Sequence, residues 1–236
     1  MGHPARVRFP FYTGGINMDR PLDLAAGRAM RQFPDPTAAD YFEYLLGLYF
    51  PGADDNLSRC IQRAYRDWCR TLDGLAKVPD GEGLRARASV VVRSFLTSLA
   101  EAGGAGSDQA AFDDRHRAAS TELCSTYSAA GFAEFRVGQA QKWLNMALKY
   151  VFVFGEDRLR GYARLFELAH IPLDKIILDR LHLHGVPRLA TSWSRVSSYE
   201  EYMGIQRWVR SAFPDSAPLA VEFALWQNSG GAAPPD

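Results

Sequence analysis

The chain has 236 residues, 47% hydrophobic and 23% charged, with 27 basic side chains against 27 acidic ones. That is enough chain for one large or two small globular domains with a real core. The zero net charge argues against a simple polybasic nucleic-acid binder. No apolar run approaches the roughly 18–20 residues needed to span a bilayer.

Three cysteines, Cys60, Cys69 and Cys124, are an odd number with no C-x-x-C pair. This usage suggests reduced thiols in a cytoplasm rather than a disulfide framework or a zinc or iron–sulfur site. The opening "MGHPARVRFPFY" lacks the apolar stretch of a signal peptide, and no Ser or Thr follows Gly2 at the myristoylation position. The expectation is a cytoplasmic protein.

The predicted elements are helical throughout. Residues 1–35 carry Gly14-Gly15 and four prolines and are expected to form an N-terminal extension. Next, "PTAADYFEYLLGLYF" opens on Pro and Thr and spaces its apolar residues as a helix does. "DNLSRCIQRAYRDWCRTLDGL" places Leu57, Ile61, Ala64 and Trp68 on one face. In "GLRARASVVVRSFLTSLAEAGGAG" the run "ASVVVRSFL" is rich in β-formers but has no partner run, so it is predicted as buried helix. "SDQAAFDDRHRAASTELCSTYSAAG" is a further helix ending at Gly131. After the stretch at 138–150, "DRLRGYARLFELAH", "DKIILDRLHLHG", "SSYEEYMGIQRWVRSAF" and "PLAVEFALWQ" complete eight to ten short helices. The tail 229–236 is expected to be disordered. An all-α fold is predicted, with one helical domain over 36–228.

Charge is unevenly placed. Between Arg136 and Arg210 there are 12 Lys and Arg against 7 Asp and Glu, while the rest of the chain has 15 against 20. A locally basic region of this kind can dock a polyanion.

Within that region lies "GQAQKWLNMALKY", residues 138–150. Gly138 permits a tight turn between two helices, and Ala140 is small enough for another backbone to approach. A short turn entering a helix offers unpaired backbone N–H groups, a natural phosphate site. Lys142 follows in the first turns, where the macrodipole disfavours a cation. Lys142 and Lys149 share one stripe, and Trp143, Leu144, Ala147, Leu148 and Val151 form the apolar side. A lysine against such a wall, near a second cation, is the kind of amine that serves as a nucleophile. Alone, Lys142 also reads as an ordinary helix lysine, and Lys149 as a snorkelling one. Thirty-two residues on, in "HIPLDKIIL", Pro172 stops one segment and Asp174 stands at the N-cap of the next helix, a role that by itself needs no further explanation.

In combination, these residues resemble the helix-hairpin-helix DNA glycosylase superfamily. That family's hairpin carries glycines four and two residues before a lysine; here Gly138, Ala140 and Lys142 fill the positions. Its catalytic aspartate opens a helix in a Pro-aliphatic-Asp turn, matched by "Ile-Pro-Leu-Asp" at 171–174. The lysines seven apart and a late "PLAVEFALW" with Trp226 are most similar to the archaeal 8-oxoguanine glycosylase branch, and "DYFEY" is similar to an aromatic segment there. Ala140 replaces a glycine, and the four-cysteine iron–sulfur loop of other branches is absent.

The resemblance implies two helical lobes around a base-binding cleft, with the hairpin at 131–155. It implies a monomer acting on double-stranded DNA without metal or cofactor. Gly138, Gln139, Ala140 and Gln141 would hold a DNA phosphate. Lys142 would attack the anomeric carbon and form a Schiff base, and Asp174 would stabilise the oxocarbenium-like sugar. The target base would flip out between walls drawn from Lys149, Trp226, Tyr41 and Phe42, with Trp193 and Trp68 as further candidates. The archaeal branch implies oxidised guanine as substrate. The Ala- and Arg-rich composition looks bacterial, and a bacterial relative of this fold could instead excise a phage-modified cytosine, such as glucosylated hydroxymethylcytosine, in anti-phage defence. A non-catalytic DNA-binding module is the alternative. His182 and His184, two residues apart, point to different sides of a helix and do not form a metal pair.

Overall fold

A computed structural model describes residues 35–52, 55–102 and 108–227. The expected N-terminal extension (bar residue 35), most of the Gly-rich connector and the C-terminal tail lie outside the described residues. Among those described there are eight α-helices and no strand: α1 (Ala38–Tyr49), α2 (Asn56–Trp68), α3 (Gly81–Ala102), α4 (Gln109–Ala129), α5 (Val137–Phe154), α6 (Lys175–His182), α7 (Tyr199–Ala212) and α8 (Pro218–Gln227). No helix among them is long and apolar enough to cross a membrane.

Helix starts follow from local chemistry. Thr37, Asp55, Asp108, Asp174 and Ser198 each cap a helix by accepting an N–H of its first turn. The run "ASVVVRSFL" is helical within α3, where Ala88, Val91, Val92, Phe95 and Leu96 are buried. Tertiary burial of one face outweighs the β-preference of its valines.

One predicted helix does not form. Over 157–170 the structure has only a single 3₁₀ turn, Ala163–Leu165. The Glu156 carboxylate accepts the N–H groups of Gly161, Tyr162 and Ala163, so these donors are unavailable to helix carbonyls. Gly161 sits at φ +93°, a left-handed conformation that interrupts any helix.

Two hydrophobic clusters organise the chain. The larger is built from α1 to α5 and includes Trp68, Phe95, Leu123, Trp143 and Leu148. The smaller draws on Ile171, Leu173, α6 and α7, with Ile177, Leu181, Tyr202 and Val209 at its centre. Trp193 packs against both.

Helix α5 runs through the middle, with 14 of its 18 residues buried, including Gln139, Gln141, Lys142, Asn145 and Lys149. A helix buried on nearly all sides should be apolar all round. These five polar residues therefore each require a partner.

Gly138 plays a different part from the one expected. The connection from α4 to α5 spans 130–136, and Gly138 lies inside the first turn of α5. What its missing side chain admits is the short 3₁₀ turn Trp193–Arg195: a Cβ at position 138 would stand 1.8 Å from the Trp193 carbonyl oxygen. The Gly138 N–H donates to the Val196 carbonyl at 2.9 Å. Gly138→Ala should therefore destabilise the fold by at least about 2 kcal/mol, through backbone overlap. Helix propensity alone would give a gain of about 1 kcal/mol. Urea unfolding midpoints decide between the two signs, and a variant as stable as the parent would show that residues 193–196 do not rest on this turn.

Candidate functional site

The side chain of Lys142 is 6% exposed and that of Asp174 21%. Lys142 Nζ donates to Asp174 Oδ2 at 2.7 Å. The other carboxylate oxygen, Oδ1, accepts the Ile177 N–H at 2.9 Å and caps α6. Capping and pairing are thus carried by separate oxygens of one group. The cap fixes the carboxylate's orientation and leaves the second oxygen for the ammonium. The N-terminus of α6 adds its dipole, which favours an anion at this position.

One and two turns further along α5 lie Asn145 and Lys149. Lys149 Nζ donates to both Glu222 oxygens, at 2.7 and 2.6 Å, and stands 4.6 Å from the centre of the Phe223 ring. The pair is enclosed, with side-chain exposures of 10% and 3%.

A third acid, Asp67 of α2, lies within the field of both lysines. Burial raises its pKa, opposed by the Tyr150 hydroxyl, which donates to it at 2.5 Å, and by Arg63 at 3.2 Å. Three cations (Lys142, Lys149, Arg63) therefore stand among three acids (Asp67, Asp174, Glu222), drawn from α2, α5, α8 and the cap of α6.

Of the residues singled out in the sequence, Lys142 and Asp174 are brought into contact, with Lys149 two turns away on the same helix. The four residues expected to cradle a phosphate are enclosed instead: Gly138 is buried, Gln139 4%, Ala140 0% and Gln141 1% exposed. Their amides are taken. Gly138 N–H goes to Val196, and the N–H groups of Gln139 and Ala140 go to the Arg136 carbonyl. Gln139 receives the Arg136 N–H on its side-chain oxygen and donates to Thr71. The free donors that an anion site requires are not present at 138–140: the segment 193–196 takes the first amide and the Arg136 carbonyl the next two.

The aromatic candidates separate. Trp226 is 44% exposed on α8, one turn beyond Glu222. Tyr41 is 59% exposed on α1. Phe42 packs under the Arg158 guanidinium, which also reaches the Phe154 carbonyl. That places Phe42 by the C-terminal end of α5, about 18 Å along the helix from Lys142 at 1.5 Å per residue. Trp68 is core, its ring against Trp143 and Phe135. A groove of ≈ 280 Å³, lined in part by Val151, Phe152, Leu159 and Phe166, also lies by that far end of α5 and is not part of the paired-charge site.

Glu222, Asp67, Tyr150 and Arg63 of the site were not singled out from the sequence. Glu222 had a signal: it is the lone charge in the otherwise apolar "PLAVEFALWQ", and a carboxylate buried on such a helix needs a cation. Asp67 and Tyr150 carried no comparable mark.

Behind the site lies a second polar group. His170 is fully enclosed between the Tyr202 hydroxyl, 2.7 Å from Nδ1, and Asp113 Oδ1, 2.8 Å from Nε2. His116 Nδ1 is 2.8 Å from the Tyr199 hydroxyl, which itself donates to the Asp113 carbonyl. Burial lowers the pKa of both histidines, that of His116 strongly. For His116 the nearby His170 adds to the effect, and for His170 Asp113 opposes it.

No protein-family model, no curated protein and no solved structure matches this chain.

The two enclosed histidines make stability acid-sensitive. Each is neutral in the folded protein but binds a proton in the unfolded chain below about pH 6.5. Their contribution is present above that value and is lost as pH falls through it toward the lowered folded values. The loss sets in as pH falls through about 6.5, and His116, the more strongly lowered of the two, carries it further into acid. Asp67, with a raised pKa, acts in the opposite direction but nearer the carboxylate range, and Asp113, held low, loses its contribution only in stronger acid. Urea unfolding at several pH values across this fall should show the decline, with a shallower slope for His116→Gln. A flat profile would contradict the enclosure of both rings.

Proposed function

We propose that the chain is a DNA glycosylase that excises a modified base from double-stranded DNA and uses Lys142 as the attacking amine. The observation that carries this reading is the 2.7 Å contact between Lys142 Nζ and Asp174 Oδ2, made by two residues 32 apart in sequence. Resemblance of the surrounding motifs to the helix-hairpin-helix glycosylases supplies the reaction class.

The chemistry follows from the pair. The proton of the Lys142 ammonium passes to Asp174 across the existing hydrogen bond, leaving a neutral amine. That amine attacks the anomeric carbon as the bond to the base breaks, its electron pair going to the base, which takes up the proton held by Asp174. The carboxylate so regenerated would stabilise the positive charge that develops on the sugar. Opening of the sugar ring gives a Schiff base on Lys142, from which β-elimination cuts the strand. Phe223 and Trp226, on the same helix as Glu222, offer aromatic faces for an everted base. Oxidised guanine and a phage-modified cytosine are the two substrates this reading carries, in repair and in anti-phage defence respectively.

Contact with the DNA backbone falls to groups other than the enclosed amides of 138–140. Arg188 and Arg195 are exposed, and Arg195 lies on the segment that covers Gly138. They suit phosphate contacts that position the duplex without reading sequence.

Borohydride trapping tests the reading. Duplexes bearing 8-oxoguanine or glucosylated hydroxymethylcytosine should yield a covalent adduct with the wild-type chain and none with Lys142→Ala. Asp174→Asn should slow release of free base by roughly two to four orders of magnitude. If neither duplex releases a base, or if Asp174→Asn retains full excision, the proposal fails.

A further inference from the structure

The amide of Gln141 is saturated. Its nitrogen donates to the Gly138 carbonyl at 2.9 Å and to the Leu173 carbonyl at 2.8 Å. Its oxygen accepts the Leu173 N–H at 3.1 Å and the Asn145 side-chain amide at 3.1 Å. Two donors and two acceptors are therefore all used, and the pattern admits only one orientation of the amide. Both main-chain groups of Leu173 are held, and the next residue is Asp174. On the other side the next residue is Lys142. The clamp thus joins, at adjacent positions, the two strands of chain whose side chains form the ion pair.

The clamp is itself braced. Asn145 donates to the Tyr202 hydroxyl at 2.9 Å, and that hydroxyl meets His170, which is held in turn by Asp113. Donor assignments agree along the whole line. With His170 neutral and its proton on Nε2 facing Asp113, the Tyr202 O–H donates to Nδ1 and its lone pair accepts from Asn145. This leaves the second Asn145 proton for Gln141.

We propose that Gln141 is a positioning residue, which through Leu173 holds the Asp174 carboxylate against Lys142, with Asn145, Tyr202, His170 and Asp113 fixing the direction of its amide. The inference rests on the reading of Lys142 and Asp174 as the reacting pair, and it assigns Gln141 to the protein interior rather than to the DNA backbone. Gln141 touches no substrate in this arrangement. Its effect is entirely on geometry, where a displacement on the order of 1 Å costs about 100-fold in rate.

The test has two arms. In the first, single-turnover base release and DNA affinity are measured for Gln141→Met, which keeps length and bulk but removes all four hydrogen bonds. The rate should fall at least tenfold while the Kd for DNA changes less than threefold. In the Asp174→Asn background the same substitution should change the rate less than twofold, because the group it positions is gone. Independent, multiplying losses would overturn the proposal, as would an unchanged rate for Gln141→Met.

The second arm needs no DNA. The ¹⁵Nζ resonance of Lys142, identified by its absence in Lys142→Ala, should move in Gln141→Met toward its position in Asp174→Asn. An unmoved resonance overturns the proposal whatever the activity. A moved resonance in a protein that excises nothing upholds the clamp and counts against the glycosylase reading alone. Should Gln141→Met fail to fold, Tyr202→Phe removes the brace at one atom and should shift the resonance the same way, with a smaller loss of rate; no shift there overturns it equally.

Discussion

An ammonium group enclosed at the N-terminal part of a buried helix is the constraint around which this structure is arranged. Lys142 lies where the helix dipole opposes it and where water is largely excluded, so the fold must deliver a carboxylate. It does so with the cap of another helix. Asp174 is held by the Ile177 amide on one oxygen and faces Lys142 with the other. The start of α6 therefore cannot move independently of α5. The smaller hydrophobic cluster, which includes Leu173, Ile177 and Leu181, is tied to the larger one through this contact.

The remaining buried polar residues of α5 extend the same logic, each answered by a different part of the chain. Gln139 reaches Thr71, Gln141 reaches Leu173, Asn145 reaches Tyr202 and Lys149 reaches Glu222. Apolar packing alone would bring these segments together with little orientational preference, because burial is non-directional. Hydrogen bonds at defined positions along one helix set where each segment docks. Gly138 completes the set from the main-chain side by admitting the Trp193 backbone where any Cβ would overlap it.

Much of this was legible in the sequence, and the failures have physical causes. The Asp174 cap, helix periodicity outside 157–170 and the enclosed "ASVVV" run are local signals, and the structure follows them. The pair of Lys142 and Asp174 was legible only in combination: each alone reads as an ordinary helix lysine or an ordinary N-cap, and their order and spacing together carry the resemblance. The expected helix over 157–170 was lost to a side chain outside it, since Glu156 takes three amides that the periodicity assigned to helix carbonyls. Gly138 was read as serving a turn because a glycine before a helix usually does; that it instead admits a segment 55 residues away in sequence is not a local property. That Phe42 lies by the far end of α5, away from Lys142, is likewise a tertiary property. Asp67 is acidic in an ordinary polar helix, and only the tertiary position of Lys142 and Lys149 gives it meaning.

The balance of three cations and three acids around α5 bears on how the pair would react under the proposed function. A buried ion pair is seldom more stable than the apolar side chains that could replace it, whereas removing one partner leaves an uncompensated charge at a cost of about 3–5 kcal/mol. A neutral amine at Lys142 therefore cannot be obtained by sending its proton to bulk water while Asp174 stays charged, because Asp174 would then be left half-buried and unpaired. Transfer within the pair avoids that penalty: both groups become neutral together, and the total charge of the cluster is unchanged. The neighbouring Lys149–Glu222 pair, closed on itself by two hydrogen bonds, neither supplies nor withdraws net charge during this step. Under the proposed glycosylase reaction, this balance favours internal proton transfer followed by attack, with Asp174 returning to its charged form as it passes the proton to the leaving base.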